Sequence, residues 1–568
     1  MKIYNHGVEL IIDPPSAQAK SKALVNLKKQ LADEGIPVVN ITQKNARLPY
    51  NSSLAKEIPG ALSQKMYVKT KISDAEMNPW DVAHLSSKAI GIKTAFIEPD
   101  LFQEFVVDTN SNAGYKRNDG KAITKTTDLG YDPDWQPYKN IIWHLGDAFS
   151  QLKSAREAVA GLEYTIRIGH LDTGYDLTHS VIPMRVRTNK LQRNFVDGEN
   201  KMDAHDPRTS GTFRMPGHGT GTLGILAGNK IRLNTDDGIF NDYLGGAPFA
   251  EVVCCRIASS VVLLKTSAFA EAMNYLVRLT LSGTPIHIVS MSMGGAPSRA
   301  WAQAINASYE AGISVVTAAG NHFNGLPTSH VIYPARFGRA IAACGVTNDL
   351  RPYRSTKLGE MQGCFGPERH MSKALAAFTP NMPWAVGKGS AISFSGAGTS
   401  AATPQVAAAA AIYYRKYHKQ LDALPGWQRV EAIRYALYKR ASKNATPYGS
   451  FKNSFGNGII KAFDSLQEPV KIITEKMPAD SVPWFPILNT LFKAIPKPAM
   501  RAGNKITMFN TELTQLVFYY PELAQIIGNE ESSFDKVSKQ QWQQFKDAVI
   551  QHPAASSTLK KHLMDTTL

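Results

Sequence analysis

A serine set among small residues is the first part of this 568-residue chain that invites chemistry. In Phe394-Ser395-Gly396-Ala397-Gly398-Thr399-Ser400-Ala401-Ala402-Thr403-Pro404 the glycines permit a tight turn and close backbone approach. The alanine-rich run from Val406 to Tyr414 continues that turn as a buried helix. Ser400 then falls in the first helical turn, where unpaired N–H groups and the positive end of the helix dipole favour a developing anion. A serine alone is a weak nucleophile and needs a base.

Three further stretches contain candidates for what it lacks. Tyr164-Thr165-Ile166-Arg167-Ile168-Gly169-His170-Leu171-Asp172-Thr173-Gly174 predicts a buried strand ending in an aspartate and a turn. Ligands of open α/β sheets gather at the carboxyl ends of strands, so Asp172 is well placed. Taken alone it is equally an Asx-turn former. In Gly217-His218-Gly219-Thr220-Gly221-Thr222-Leu223 a histidine between glycines opens an apolar helix; the plainer reading is a capping loop with an incidental histidine. Val315-Val316-Thr317-Ala318-Ala319-Gly320-Asn321 predicts a strand running into a turn, whose terminal amide could donate to an oxyanion or simply shape the turn. His170 shares a sheet face with Asp172 in a regular strand and reads as a structural histidine.

The order Asp, His, Asn, Ser is more telling than any one of these. Asp172-Thr173-Gly174, Gly217-His218-Gly219-Thr220, Ala319-Gly320-Asn321 and Gly398-Thr399-Ser400-Ala401-Ala402-Thr403-Pro404 resemble the motifs of the subtilisin-like serine peptidases. So do Ser290-Met291-Ser292-Met293-Gly294-Gly295, Gly245-Gly246-Ala247-Pro248-Phe249-Ala250 and Phe455-Gly456-Asn457-Gly458. The resemblance covers about residues 141–465. It implies a serine endopeptidase in which Ser400 is the nucleophile, His218 the base, Asp172 the group that orients it, and Asn321 an oxyanion donor. It also implies that Ser292, Met293 and Gly294 pair with substrate as an added strand.

The resemblance has departures. His179-Ser180-Val181-Ile182 stands where the family commonly has His-Pro-Asp-Leu, which removes an aspartate that would help bind a structural calcium. A loop with Asp236, Asp237, Asn241 and Asp242 could hold a cation instead, although a solvated turn is the plainer reading. No metal-ligand spacing stands out elsewhere, and no other cofactor is expected. Ile332, before Tyr333-Pro334, occupies a position that is often glycine beside the S1 pocket, which implies a preference for small P1 residues.

The remaining chain must hold these residues in place. Short apolar strands alternate with helical runs from Ile141 to about residue 470, which predicts an α/β fold with a mostly parallel twisted sheet flanked by helices. Residues 1–106 read as a small N-terminal α/β region of strand–helix–strand pieces, with Asn78-Pro79-Trp80-Asp81 as a helix start. Residues 107–140 read as a polar linker, 141–470 as the peptidase domain and 471–568 as a C-terminal helical extension. By the resemblance, the N-terminal region is a self-cleaved propeptide; the alternative is a permanent domain that gates or recruits. Either flank, 1–140 or 471–568, is a candidate site for a regulatory partner.

The net charge of +16 is concentrated centrally, since residues 141–470 hold 34 Lys and Arg against 22 Asp and Glu. Without a Lys/Arg run carrying interleaved aromatics, a soluble basic surface is expected, and nucleic acid is not. A membrane-facing role for Trp484-Phe485-Pro486-Ile487-Leu488 is weighed against packing on the catalytic domain. No window approaches about 18 consecutive apolar residues, so no transmembrane helix is expected. Met1 to Asp13 lacks the pattern of a secretory signal. The four cysteines form neither CxxC pairs nor a dense framework, which points to reduced thiols and a cytoplasmic location. The expected substrates are proteins or peptides.

Overall fold

The structure is a computed structural model. It describes residues 140–483 apart from 188–189, 207–216, 236–237, 262, 324, 326–327 and 355–360. Outside that span it describes 9–13, 27–29, 31–33, 38–42, 66–70, 77–90, 96–104, 485–488, 504–528 and 534–565. Residues 107–139 of the expected linker, Asp236, Asp237 and Trp484 lie outside the described residues.

Seven parallel strands form the central sheet, in the spatial order Ala374–Phe378, Ile341–Val346, Ser314–Ala318, Ile288–Met291, Arg167–Asp172, Glu251–Arg256 and Arg193–Asn194. Their apolar runs fit a parallel sheet covered on both faces. Ile168, Val252, Ile288 and Val316 point into one core, under the helices His218–Ala227 and Thr399–Asp422. Leu171, Val253, Val289 and Val315 point into the other, under Thr266–Leu281 and Arg299–Glu310. Cys254 and Cys255 fall in opposite cores, and all four cysteines are buried free thiols. Asp172, Ser292 and Asn321 all lie at or just beyond the carboxyl ends of neighbouring strands, where the topology leaves room for a ligand.

The N-terminal pieces differ from the two separate strand–helix–strand units expected. Val38–Thr42, Met66–Thr70, Glu9–Asp13 and Phe96–Pro99 pair in that order as one antiparallel sheet. The helix Pro79–Ile90 covers it, with Asn78 Oδ1 accepting from the Trp80 N–H at 2.9 Å. Phe102–Glu104 leaves that sheet and pairs antiparallel with Leu263–Lys265 of the central region.

The C-terminal part also differs from a uniformly helical extension. Residues 471–483 contain no helix and lie along the central region. Asp480 explains why: its carboxylate accepts from the N–H groups of Gly338 (2.6 Å) and Arg339 (3.0 Å). Helices follow at Asn504–Tyr519, Pro521–Ile526, Lys539–Gln551 and Ser557–Met564. Phe485, Ile487 and Leu488 are buried with Phe509, Leu513 and Trp542 in the core of those helices, so these three residues form neither a membrane-facing patch nor a contact with the central sheet. Among the described residues, no helix is long and apolar enough to cross a membrane.

Candidate active site

Asp172 ends its strand fully buried, and three donors converge on its carboxylate. Oδ1 accepts from the Thr173 N–H at 2.7 Å and from His218 Nδ1 at 2.7 Å, and Oδ2 accepts from Thr222 Oγ1 at 3.0 Å. Burial by itself raises this carboxyl, but the adjacent His218, assisted by the Thr173 N–H, outweighs that effect and holds Asp172 below the usual carboxylate range. With its Nδ1 proton directed at Asp172, His218 keeps Nε2 as its basic nitrogen.

His218 opens its helix directly against the turn after Asp172. Gly219 permits this approach, since a Cβ there would lie 2.0 Å from the Gly174 carbonyl oxygen. The edge of Trp384 packs on the imidazole, with ring centroids 5.5 Å apart. Arg256, buried at the end of the adjacent strand, binds Glu199 with two hydrogen bonds of 2.8 and 3.0 Å and also donates to the Thr173 carbonyl. Sequence reasoning missed Arg256. Its signal was a charge ending an apolar strand, which must be paired when buried. Thr222 and Trp384 were missed as well, and neither carries a local signal.

On the other side of the site, Ser400 is the second residue of its helix. Gly398 precedes it at φ 76°, and a Cβ there would come within 2.8 Å of Asn321 Nδ2. The Asn321 Oδ1 accepts from the Thr399 N–H at 2.9 Å and from the Thr399 hydroxyl at 3.2 Å. Its Nδ2 therefore remains as the donor on the Gly398 side. Pro404 supplies no N–H to the Ser400 carbonyl, which accepts instead from Ser292 Oγ at 2.9 Å. The Ser400 hydroxyl donates to the Ser292 carbonyl at 3.2 Å rather than to His218.

Ser292, Met293 and Gly294 continue the strand Ile288–Met291 along this side. Ile332 packs against them: a Cβ at Gly294 would lie 2.6 Å from Ile332 Cδ1, and one at Gly320 would lie 2.9 Å from Ile332 Cγ1. Val181, where the family commonly has a calcium-ligating aspartate, is a fully buried core residue, so that position does not fit the ion. The Asp242 carboxylate is engaged by Lys153 at 2.7 Å and Arg156 at 2.8 Å, and Asn241 lies in the hairpin strand Gly238–Tyr243. Among the described residues, no cluster of three or more metal-binding side chains occurs.

Residues 164–458, just over half of the chain, match the model of the subtilase family of peptidases. Subtilisin Savinase from Lederbergia lenta is 26% identical over 298 residues, covering 52% of this chain and 89% of that protein. A cuticle-degrading serine protease from Arthrobotrys oligospora is 23% identical over 398 residues, covering 69% of this chain and 80% of the relative. Fervidolysin from Fervidobacterium pennivorans, described as a keratinolytic enzyme related to subtilisin, shares the fold at a TM-score of 0.51 and 16% identity. That match covers 83% of this chain and 62% of fervidolysin. With the α/β architecture and the Asp, His, Asn and Ser segments in order, this chain belongs to the subtilase family and is a serine endopeptidase of the subtilisin type.

Proposed function

We propose that Ser400 Oγ attacks a peptide carbonyl of a protein substrate while His218 Nε2 takes its proton and later returns it to the leaving amine. Asp172 fixes the tautomer and orientation of His218. Asn321 Nδ2 and the Ser400 N–H hold the oxyanion. Ser292, Met293 and Gly294 receive the substrate as an added strand. The observation that carries this reading is the buried 2.7 Å hydrogen bond between Asp172 and His218. Turning the Ser400 hydroxyl from the Ser292 carbonyl toward His218 is a rotation about one side-chain bond, and catalytic hydrogen bonds commonly tighten only on substrate binding. Casein hydrolysis that is present in the full chain and absent in Ser400→Ala is the expected result; equal hydrolysis by both would overturn the assignment. Ile332, packed between Gly294 and Gly320, supports the preference for small P1 residues.

A regulated protease fits the flanking contacts. Glu98 accepts from the N–H groups of Arg299 (3.0 Å) and Ala300 (2.8 Å), and Asp100 accepts from the Ser267 N–H at 2.8 Å. Two carboxylates of the N-terminal region thus cap two helices of the central region, where the helix dipoles favour negative charge. The C-terminal helices hold the same region. Trp80 Nε1 donates to Gln515 Oε1 at 2.9 Å, Gln515 Nε2 donates to the Pro297 carbonyl at 2.9 Å, and Asp81 accepts from Ser557 and Thr558. These contacts favour an N-terminal region that stays bound and limits access to Ser400, whether or not the linker is cut. We further propose a cytoplasmic setting, in keeping with the four buried thiols.

A further inference from the structure

His170 and Thr222 together account for the half of Asp172 that His218 does not use. Asp172 and His170 alternate onto one sheet face, and Thr222 lies one turn along the helix from His218. The Thr222 hydroxyl sits 3.0 Å from Asp172 Oδ2, 3.2 Å from the Gly219 carbonyl and 2.9 Å from His170 Nε2. A hydroxyl has one proton to donate. A carboxylate is a stronger acceptor than a peptide carbonyl, so the proton points at Asp172. Thr222 Oγ1 then accepts from His170, which must carry its own proton on Nε2.

The surroundings agree with that tautomer. Burial pushes the His170 imidazole below its ordinary value, against the pull of Asp172, so the ring is neutral. On the flanking strands Cys254 and Ser290 stand in register with His170, and Arg256 with Asp172. Burial drives the Cys254 thiol up and keeps it neutral. The Arg256 guanidinium is engaged by Glu199 and the Thr173 carbonyl. Among the described residues, His218 is the remaining titratable group that faces the carboxylate, from its own helix.

We infer that His170 and Thr222 are positioning residues of this enzyme, a two-link donor chain that ends on Asp172 Oδ2. The chain locks rotation of the carboxylate so that Oδ1 stays on His218 Nδ1. Among the described residues it also supplies the donor to Oδ2, an oxygen that is costly to bury without one. A carboxylate with this extra donor attracts a proton on the imidazole less strongly, so loss of the donor is read in the pH profile as well as in the rate.

This inference rests on the proposed roles of Asp172, His218 and Ser400, and its test separates the two. The measurement is the rate at which a fluorophosphonate probe labels the full-length protein between pH 5 and 9. Thr222→Val, nearly isosteric, should slow labelling about tenfold at the plateau, the effect of one lost hydrogen bond. It should also move the acid limb up by about half to one pH unit. Thr222→Ser should restore both. His170→Leu, which leaves the Thr222 hydroxyl on Asp172 but removes the donor behind it, should shift both in the same direction by a smaller amount, and His170→Gln, whose amide still donates, should stay near wild type. The double variant His170→Leu/Thr222→Val should be no slower than Thr222→Val alone. Unchanged rate and acid limb in Thr222→Val, or multiplied losses in the double variant, would overturn the chain. If His170→Leu fails to fold, Thr222→Val cuts the same chain at its next link and decides the matter. Asp172→Asn is the control: slow labelling there beside a normal Thr222→Val rejects the donor chain alone, whereas wild-type labelling by Asp172→Asn rejects the triad itself.

Discussion

The two halves of the site are prepared to different degrees. On the base side, Asp172 is fully buried, accepts three hydrogen bonds and has His218 fixed at 2.7 Å. On the nucleophile side, the Ser400 hydroxyl rests on the Ser292 carbonyl, and among the described residues the Asn321 side chain is held through its oxygen. On the proposed roles, the fold already fixes His218 as the base, whereas Ser400 needs a rotation about one side-chain bond to reach it. Buried hydrogen-bond networks suit the first task, since leaving a buried polar group unpaired is costly. A single rotatable hydroxyl suits the second.

The largest predicted effect breaks either half. Ser400→Ala and His218→Ala should each lower turnover by about 10⁶, and the double variant should lose little more, because the two act as one unit. That magnitude is subtilisin's own. Steady-state rates on casein would check it, and multiplied losses would show that the halves act separately. Asn321→Leu touches only the nucleophile side and should reduce kcat by about 10²–10³, again as in subtilisin, with KM little changed. Removing the helix caps with Glu98→Ala/Asp100→Ala asks whether the N-terminal region holds the nucleophile side closed. A severalfold rise in initial casein rate is expected, and an unchanged or lower rate would argue for a purely structural contact. Ile332→Gly should extend peptide-library cleavage to Phe, Tyr and Leu at P1, a profile that the parent chain should lack.

The smallest effect lies outside the site. Burial, assisted by Arg156, pushes the His144 imidazole down to about 3, and among the described residues neither ring nitrogen has a partner. The unfolded chain therefore binds a proton below about pH 6.5 that the folded chain refuses, so stability falls as pH drops from there toward 3. His144→Leu should flatten the fall in urea midpoint between pH 7 and 5, and catalysis at pH 8 should stay unchanged.

What could be read from the sequence follows the same division. Ser400, Asp172, His218 and Asn321 each sit in a short contiguous motif with its own glycines, and the parallel sheet shows as alternating apolar strands and helical runs. Thr222 and His170 escaped because their meaning depends on a contact across 52 positions. His170 alone looked structural, and only the sheet and helix together place it behind Asp172. The flanks were harder still. Trp80 meets Gln515 across 435 positions, a pairing that no periodicity encodes. The helix-free course of 471–483 depends on Asp480 finding the N–H groups of Gly338 and Arg339.

Whether Ser400 is a nucleophile that depends on His218 is tested by labelling the full-length protein with a fluorophosphonate and locating the adduct by mass spectrometry, beside His218→Ala. One phosphonyl group is expected on the peptide that carries Ser400, and almost none in His218→Ala. An adduct on another serine, or equal labelling of Ser400 without His218, would contradict it.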